Sequence, residues 1–235
     1  MPGAANEEAR AWLARWPGWP SGRLVLWGPE GSGKSHLAAI WQGRAKAAVT
    51  TGAALAEAEP EAALGLCTEA GAVLVEDADA APQGRAMLHL INAASERRAS
   101  LLMTARDPPG RWRASLPDLR SRLAATASVA IAAPDESLLE AVLAKHLADR
   151  GTTLRPDLLS WLVLRAPRDF STIHALAAEL DAGSLAAARA VTRPMAAEAL
   201  ARAMAATGHA APEAGSDDNS MAPEHPPSRR EGPLG

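Results

Sequence analysis

The stretch Arg23-Leu-Val-Leu-Trp27-Gly28-Pro29-Glu30-Gly31-Ser32-Gly33-Lys34-Ser35 governs how the rest of the chain is read. Its first five residues form an apolar run of strand length. The next eight match G-x-x-x-x-G-K-[ST] at every position. Each part of that pattern has a physical reason. Gly28, Gly31 and Gly33 let backbone N–H groups turn inward around phosphate oxygens. Lys34 brings a point charge for the β- and γ-phosphates, and the Ser35 hydroxyl is a ligand for Mg²⁺. His36–Arg44 has helical spacing, so a helix would present its positive dipole end to the same anion. Residues Gly28, Pro29, Glu30, Gly31, Ser32, Gly33, Lys34 and Ser35 are therefore the expected cradle for the phosphates of a nucleoside triphosphate or diphosphate.

The strand–loop–helix order recurs outward from this loop. Short apolar runs at Ala47–Thr50, Ala72–Val75, Leu101–Thr104 and Ser128–Ala132 alternate with helical stretches. Those stretches are Ala53–Leu66 (interrupted at Pro60), Arg85–Arg98 and Asp118–Leu123. A short helix over Glu7–Trp16, with Ala11, Trp12 and Trp16 on one face, precedes them. Such alternation predicts an α/β fold, a P-loop parallel sheet flanked by helices. Beyond Pro134 the texture becomes helical only: Glu136–Asp149, Pro156–Leu164, Arg168–Leu180 and Pro194–Ala205, punctuated by Gly151, Pro167 and Gly183. We expect an α/β subdomain over residues 1–133, a helical lid over 134–206 and a disordered, Pro/Gly/Glu-rich tail over 207–235.

Composition narrows the function class. Hydrophobic residues make up 48% and charged residues 22% of 235, enough for a packed core. The net charge of −3 argues against strong direct DNA binding through a broad basic face. That charge resides in the tail, where Glu213, Asp217, Asp218, Glu224 and Glu231 outnumber Arg229 and Arg230. No segment reaches the ~18 apolar residues of a membrane span, and Met1 is not followed by a signal-peptide pattern. The single cysteine, Cys67, fits a reducing cytoplasm and a buried apolar role. The six histidines lack metal-ligand spacing.

Four further motifs bear on chemistry. Val73-Leu-Val-Glu76-Asp77 is an apolar strand ending in paired acids, suited to holding Mg²⁺ and orienting a water. A glutamate, Glu76, occupies the place where a metal-side aspartate is usual. In Leu101-Leu-Met-Thr104-Ala-Arg106 the polar end of a strand offers Thr104 toward a γ-phosphate; an ordinary strand terminus reads the same way. Leu116-Pro-Asp-Leu-Arg120-Ser-Arg122-Leu sets two arginines on a short helix, suiting either an arginine finger or a solvated basic face. Ala166-Pro-Arg168-Asp-Phe170 opens a lid helix with an arginine able to couple lid and phosphates.

In this order the motifs resemble the AAA+ ATPases, and within them the DnaA branch. The runs are Gly33-Lys-Ser-His36-Leu, Leu88-His-Leu-Ile-Asn92, Met103-Thr-Ala-Arg-Asp-Pro-Pro109, Leu119-Arg-Ser-Arg122-Leu and Pro167-Arg-Asp-Phe170. Arg15-Trp-Pro-Gly-Trp-Pro20 joined to the P-loop resembles the Hda-like regulators, over roughly residues 6–205. The resemblance implies that Glu76 and Asp77 are Walker B acids holding Mg²⁺ with Ser35. It implies Thr104 as sensor 1, Arg168 as sensor 2 and Arg122 as an arginine finger acting in trans. It further implies weak or partner-dependent hydrolysis, bound ADP as a switch, and a cytoplasmic bacterial regulator that promotes hydrolysis of DnaA-bound ATP. DnaA is the expected partner. The sliding clamp is a candidate partner whose Gln/Leu tether peptide has no counterpart in Met1–Glu8, and self-association stays open. Ala105 stands where the branch usually carries an acid. The alternative is a DnaA-type adaptor or helicase-loader-like ATPase. A small-molecule kinase is disfavoured, since no acceptor-activating residue stands out. The tryptophans Trp12, Trp16, Trp27, Trp41 and Trp161 read as packing residues rather than base-stacking ones.

Overall fold

The structure is a computed structural model and describes residues 4–69, 71–80, 85–187 and 190–209. The expected disordered tail lies, from residue 210, outside the described residues. Five strands, β1 (Arg23–Trp27), β2 (Ala48–Thr51), β3 (Ala72–Glu76), β4 (Ser100–Ala105) and β5 (Ala127–Ala130), form one sheet of order β2-β3-β4-β1-β5. Every pairing is parallel. This bears out the α/β expectation, with β5 one residue earlier in its start than the sequence suggested.

The central strands are apolar at nearly every position because both sheet faces are covered. Val25, Val73, Val75, Leu101 and Met103 point to one side, where they pack with Leu55, Cys67, Met87, Leu90 and Leu119. These come from α3 (Gly52–Glu57), α4 (Pro60–Glu69), α5 (Arg85–Glu96) and α6 (Pro117–Ala124). Leu24, Leu26, Leu74, Leu102 and Val129 alternate to the other side, against Ala9, Trp19, Leu37 and Trp41. Those belong to α1 (Glu7–Ala14), the segment after it, and α2 (Lys34–Ala45). The stretch read as one interrupted helix around Pro60 is two helices. Pro60 opens the second, where a missing N–H is tolerated.

Tryptophans are packing residues here. Trp41 is buried, and Trp16 and Trp19 lie 6.1 and 5.3 Å from it, centroid to centroid. The indole N–H of Trp16 donates to Ser100 Oγ (2.9 Å), tying α1's exit to β4. Ala11 is exposed, contrary to expectation; the inward face of α1 is Ala9, Trp12 and Leu13.

After β5, Ile131 N–H donates to Trp27 O (2.7 Å) and Ala132 N–H to Ala5 O (3.2 Å), and the chain passes into helices only. They are α7 (Glu136–Ala148), α8 (Pro156–Val163), α9 (Phe170–Ala187) and α10 (Arg193–Ala206). Leu138, Leu139, Val142, Leu143 and Leu147 are all buried, in a core with Leu162, Ile173, Leu176 and Leu200. No helix among the described residues is long and apolar enough to cross a membrane.

Candidate functional site at the phosphate loop

The sheet order sets the site. With β4 between β1 and β3, the carboxyl ends of these strands stand in a row: phosphate loop, Thr104, Glu76. Ligand crevices in open parallel sheets lie outside such ends. Gly28 N–H donates to Ala105 O (3.2 Å), which seats the loop on β4 as it leaves β1.

Three of the polar groups singled out in the sequence, Ser35, Glu76 and Thr104, lie together. Glu76 Oε2 accepts from Thr104 Oγ1 (2.6 Å) and from Ser35 Oγ (3.2 Å). Asp77 N–H donates to Thr104 Oγ1 (3.0 Å), so one buried hydroxyl both holds Glu76 and fixes the turn that follows. That turn puts Asp77 in the left-handed region, φ 48°, with its side chain exposed. Lys34 is buried, and its ammonium donates to Gly28 O (2.8 Å) and Pro29 O (2.7 Å). Burial, and beyond it Arg106, push Lys34 below the ordinary lysine range, against the pull of Asp77, Asp79 and Glu30. Ser32 Oγ is buried with no hydrogen-bond partner in the structure. An orphaned donor inside a glycine loop is what an anion would satisfy.

Two of the expected residues bond elsewhere. Arg168 pairs with Glu136 (2.6 Å) in the first turn of α7 and is 62% exposed. Arg122 pairs with Asp118 one turn back on α6 (3.1 Å), and its carbonyl accepts from Thr126 Oγ1.

The residues beside Arg168 touch the loop instead. Phe170 N–H donates to Gly31 O (2.9 Å), and the Phe170 ring covers Gly33 so closely that a Cβ there would sit 3.2 Å away. Gly31, at φ 70°, lies against Asp169: a Cβ would come within 2.2 Å of Asp169 Cβ. Asp169 is itself buried. Its carboxylate accepts from Thr172 N–H (2.7 Å), Thr172 Oγ1 (2.9 Å) and Ser171 Oγ (2.8 Å), capping α9. Thr172 meets Thr207 (2.9 Å), and His209 lies 3.7 Å from Asp169. The Pro-Arg-Asp-Phe motif held this contact in its Asp and Phe, but the sequence reading weighed only its arginine.

A sheet of this order carrying a phosphate loop, with a helical lid docked upon it, defines an α/β P-loop protein of AAA+ fold. Solved structures agree in fold. Domain III of the Thermotoga maritima replication initiation protein DnaA superposes with TM-score 0.69 at 14% identity, covering 86% of this chain and 93% of that one. AMPPCP-bound DnaA from Aquifex aeolicus gives 0.59 at 16% identity, covering 71% and 59%. The FIGL-1 AAA domain in complex with ADP gives 0.59 at 15% identity, covering 82% and 80%. Residues 135–200 match the family described as "Hda, lid domain". Residues 135–200 are thus similar to an Hda lid, and they are carried on a fold similar to that of DnaA domain III. No curated protein sequence matches the chain.

Proposed function

We propose that the chain binds ADP or ATP with Mg²⁺ at Gly28–Ser35 and restrains replication initiation by promoting hydrolysis of DnaA-bound ATP, in the bacterial cytoplasm. The observation that carries this reading is an Hda-type lid seated directly on a phosphate loop through Phe170 and Gly31. Nucleotide binding is further supported by the orphaned Ser32 hydroxyl. The donor set fits Mg²⁺: the Ser35 hydroxyl and Glu76 carboxylate already converge to 3.2 Å, and Asp77 follows directly. Hard oxygen donors with room for water and phosphate suit that ion. When bound it would neutralise charge between the phosphates.

The chain's own residues then divide the work. Lys34 leaves the Gly28 and Pro29 carbonyls for phosphate oxygens, while the Thr104 hydroxyl keeps Glu76 in place as sensor 1. Arg168, acting as sensor 2, exchanges Glu136 for phosphate and so ties lid angle to nucleotide state. Asp77 serves as the second Walker B acid. Arg122 acts in trans on ATP held by the initiator, leaving Asp118 to do so. The sliding clamp is proposed as a co-partner, self-association as an accessory state, and strong direct DNA binding is not required.

The test mixes the protein with ATP-loaded DnaA, clamp and DNA and follows conversion to ADP. Wild-type protein should accelerate that conversion, and Arg122→Ala should abolish the acceleration while still binding ADP. An Arg122→Ala protein as active as wild type removes the finger assignment. A wild-type protein without effect on DnaA-bound ATP removes the regulatory reading.

A further inference from the structure

Beyond the Walker, sensor and finger positions, one cation faces the phosphate loop without an assigned role. Arg106 follows Ala105, whose carbonyl receives the Gly28 N–H, so it stands one residue from the start of the loop. Its backbone is pinned: the Arg106 N–H donates to Asp79 Oδ2 (2.7 Å), an acid on the turn after β3, and Asp107 N–H reaches the same oxygen (3.3 Å). The side chain projects back over the loop and pairs with Glu30, in its middle, at 2.9 Å. It is near enough to Lys34 for its charge to act on that ammonium. Arg106 and Glu30 are 66% and 76% exposed, and an ion pair so solvated is held weakly. A guanidinium prefers a dianionic phosphate, to which it presents two parallel N–H donors.

We propose that Arg106 is a phosphate-reading arginine in cis, parked on Glu30 until a nucleoside triphosphate brings a terminal phosphate within its reach. The loop's own glutamate then has two tasks. It holds the guanidinium over the loop while the site lacks a γ-phosphate. It also sets a threshold, since releasing Arg106 uncovers a negative charge beside the phosphates. A diphosphate, ending one phosphate short, leaves the pair intact. The chain thereby distinguishes ATP from ADP with a residue of its own, beside the Arg168 of the lid.

This inference rests on the nucleotide-binding reading above, and calorimetric titration of the full chain with ADP and with AMPPCP separates the two. If wild-type protein binds neither nucleotide, the nucleotide reading fails and Arg106 has no ligand. If wild-type protein binds both, Arg106→Ala should weaken AMPPCP about tenfold and leave ADP within about twofold. Arg106→Lys should fall between, keeping charge but losing the paired donors. Glu30→Gln should tighten AMPPCP more when Arg106 is present than in the Arg106→Ala background, a coupling that a purely structural role would not produce. Because both side chains are exposed, melting temperatures should stay within about 2 °C of wild type. Equal losses for ADP and AMPPCP, no loss for either, or no coupling with Glu30 would overturn the proposal.

Discussion

Replacing Gly31 by alanine should undo the seat of the lid on the loop. The backbone at this residue is left-handed, φ 70°, which an L side chain occupies at a penalty of about 1–2 kcal/mol. Its Cβ would lie 2.2 Å from Asp169 Cβ, and Asp169 cannot swing aside because its carboxylate caps α9 through three bonds. Relief must come from the backbone, and overpacking of this kind costs about 1–3 kcal/mol. The Phe170 N–H to Gly31 carbonyl bond spans the same contact and contributes about 1 kcal/mol. Taken at the low end these give about 3 kcal/mol. For a chain of this length each kcal/mol shifts the midpoint by about 2–4 °C, so Gly31→Ala should melt at least about 6 °C below wild type. Gly43→Ala is the matched control. Gly43 lies within α2, and a Cβ there meets nothing within 4 Å, so alanine should stabilise by about 0.5–1 kcal/mol. Thermal unfolding followed by far-UV circular dichroism reads both. A Gly31→Ala midpoint within about 2 °C of wild type, or a Gly43→Ala protein that falls as far, would refute the reasoning.

Three other perturbations follow from the same geometry. Thr104→Val should destabilise by about 1–3 kcal/mol, because it strips a donor from Glu76 and leaves the Asp77 N–H unpaired, whereas Thr104→Ser should hold; denaturant titration separates them. Burial first, then His146 with His36 and Arg150, depress the basicity of His174; burial and Arg150 do the same for His146, whose ring centroid lies 4.3 Å away. The unfolded chain therefore binds these protons more readily, and stability, complete above the ordinary histidine value of 6.5, should decline as pH falls through it. A His146→Gln/His174→Gln protein should show a flatter profile between about pH 5 and 7 in pH-dependent melts; an unchanged slope would discount the pair. Asp135, held below its ordinary 3.8 by the Leu138 N–H and then the Ser137 hydroxyl, supports α7 above that value, and the support is lost as pH drops through its lowered pKa. Asp135→Ala should melt lower at neutral pH and lose less on acidification.

The central strands were legible because they are buried on both faces and so read as apolar runs, with Arg23–Trp27 matching residue for residue. The Ser35–Glu76 approach was legible because each residue belongs to a motif tied to a strand: Ser35 opens α2 after the loop that leaves β1, and Glu76 closes β3. Helix boundaries were legible where a cap or proline marks them, as at Pro156, and less so at α9, which starts at Phe170 and runs on to Ala187. The contacts that escaped are pairings between distant segments. Nothing near Gly31 announces Phe170 and nothing near Glu30 announces Arg106, because these partners are set by how the lid and the β4 exit fold back over the loop. Ala11 misled because a helical stripe fixes a period but not which of two adjacent positions the stripe centres on.

Among the described residues, the lid joins the sheet through the chain after β5 and meets the loop where Phe170 N–H donates to Gly31 O and where Asp169 and the Phe170 ring abut Gly31 and Gly33. A rigid body suspended at two points can turn only about the line joining them, like a door on its pins. Should phosphate held by the loop's N–H groups turn the Gly31 peptide, this second attachment loosens and the lid is left to swing about the segment between Ile131 and Glu136. The difference between a restricted and an unrestricted lid would then reside in the few atoms where Gly31 and Gly33 meet Asp169 and Phe170.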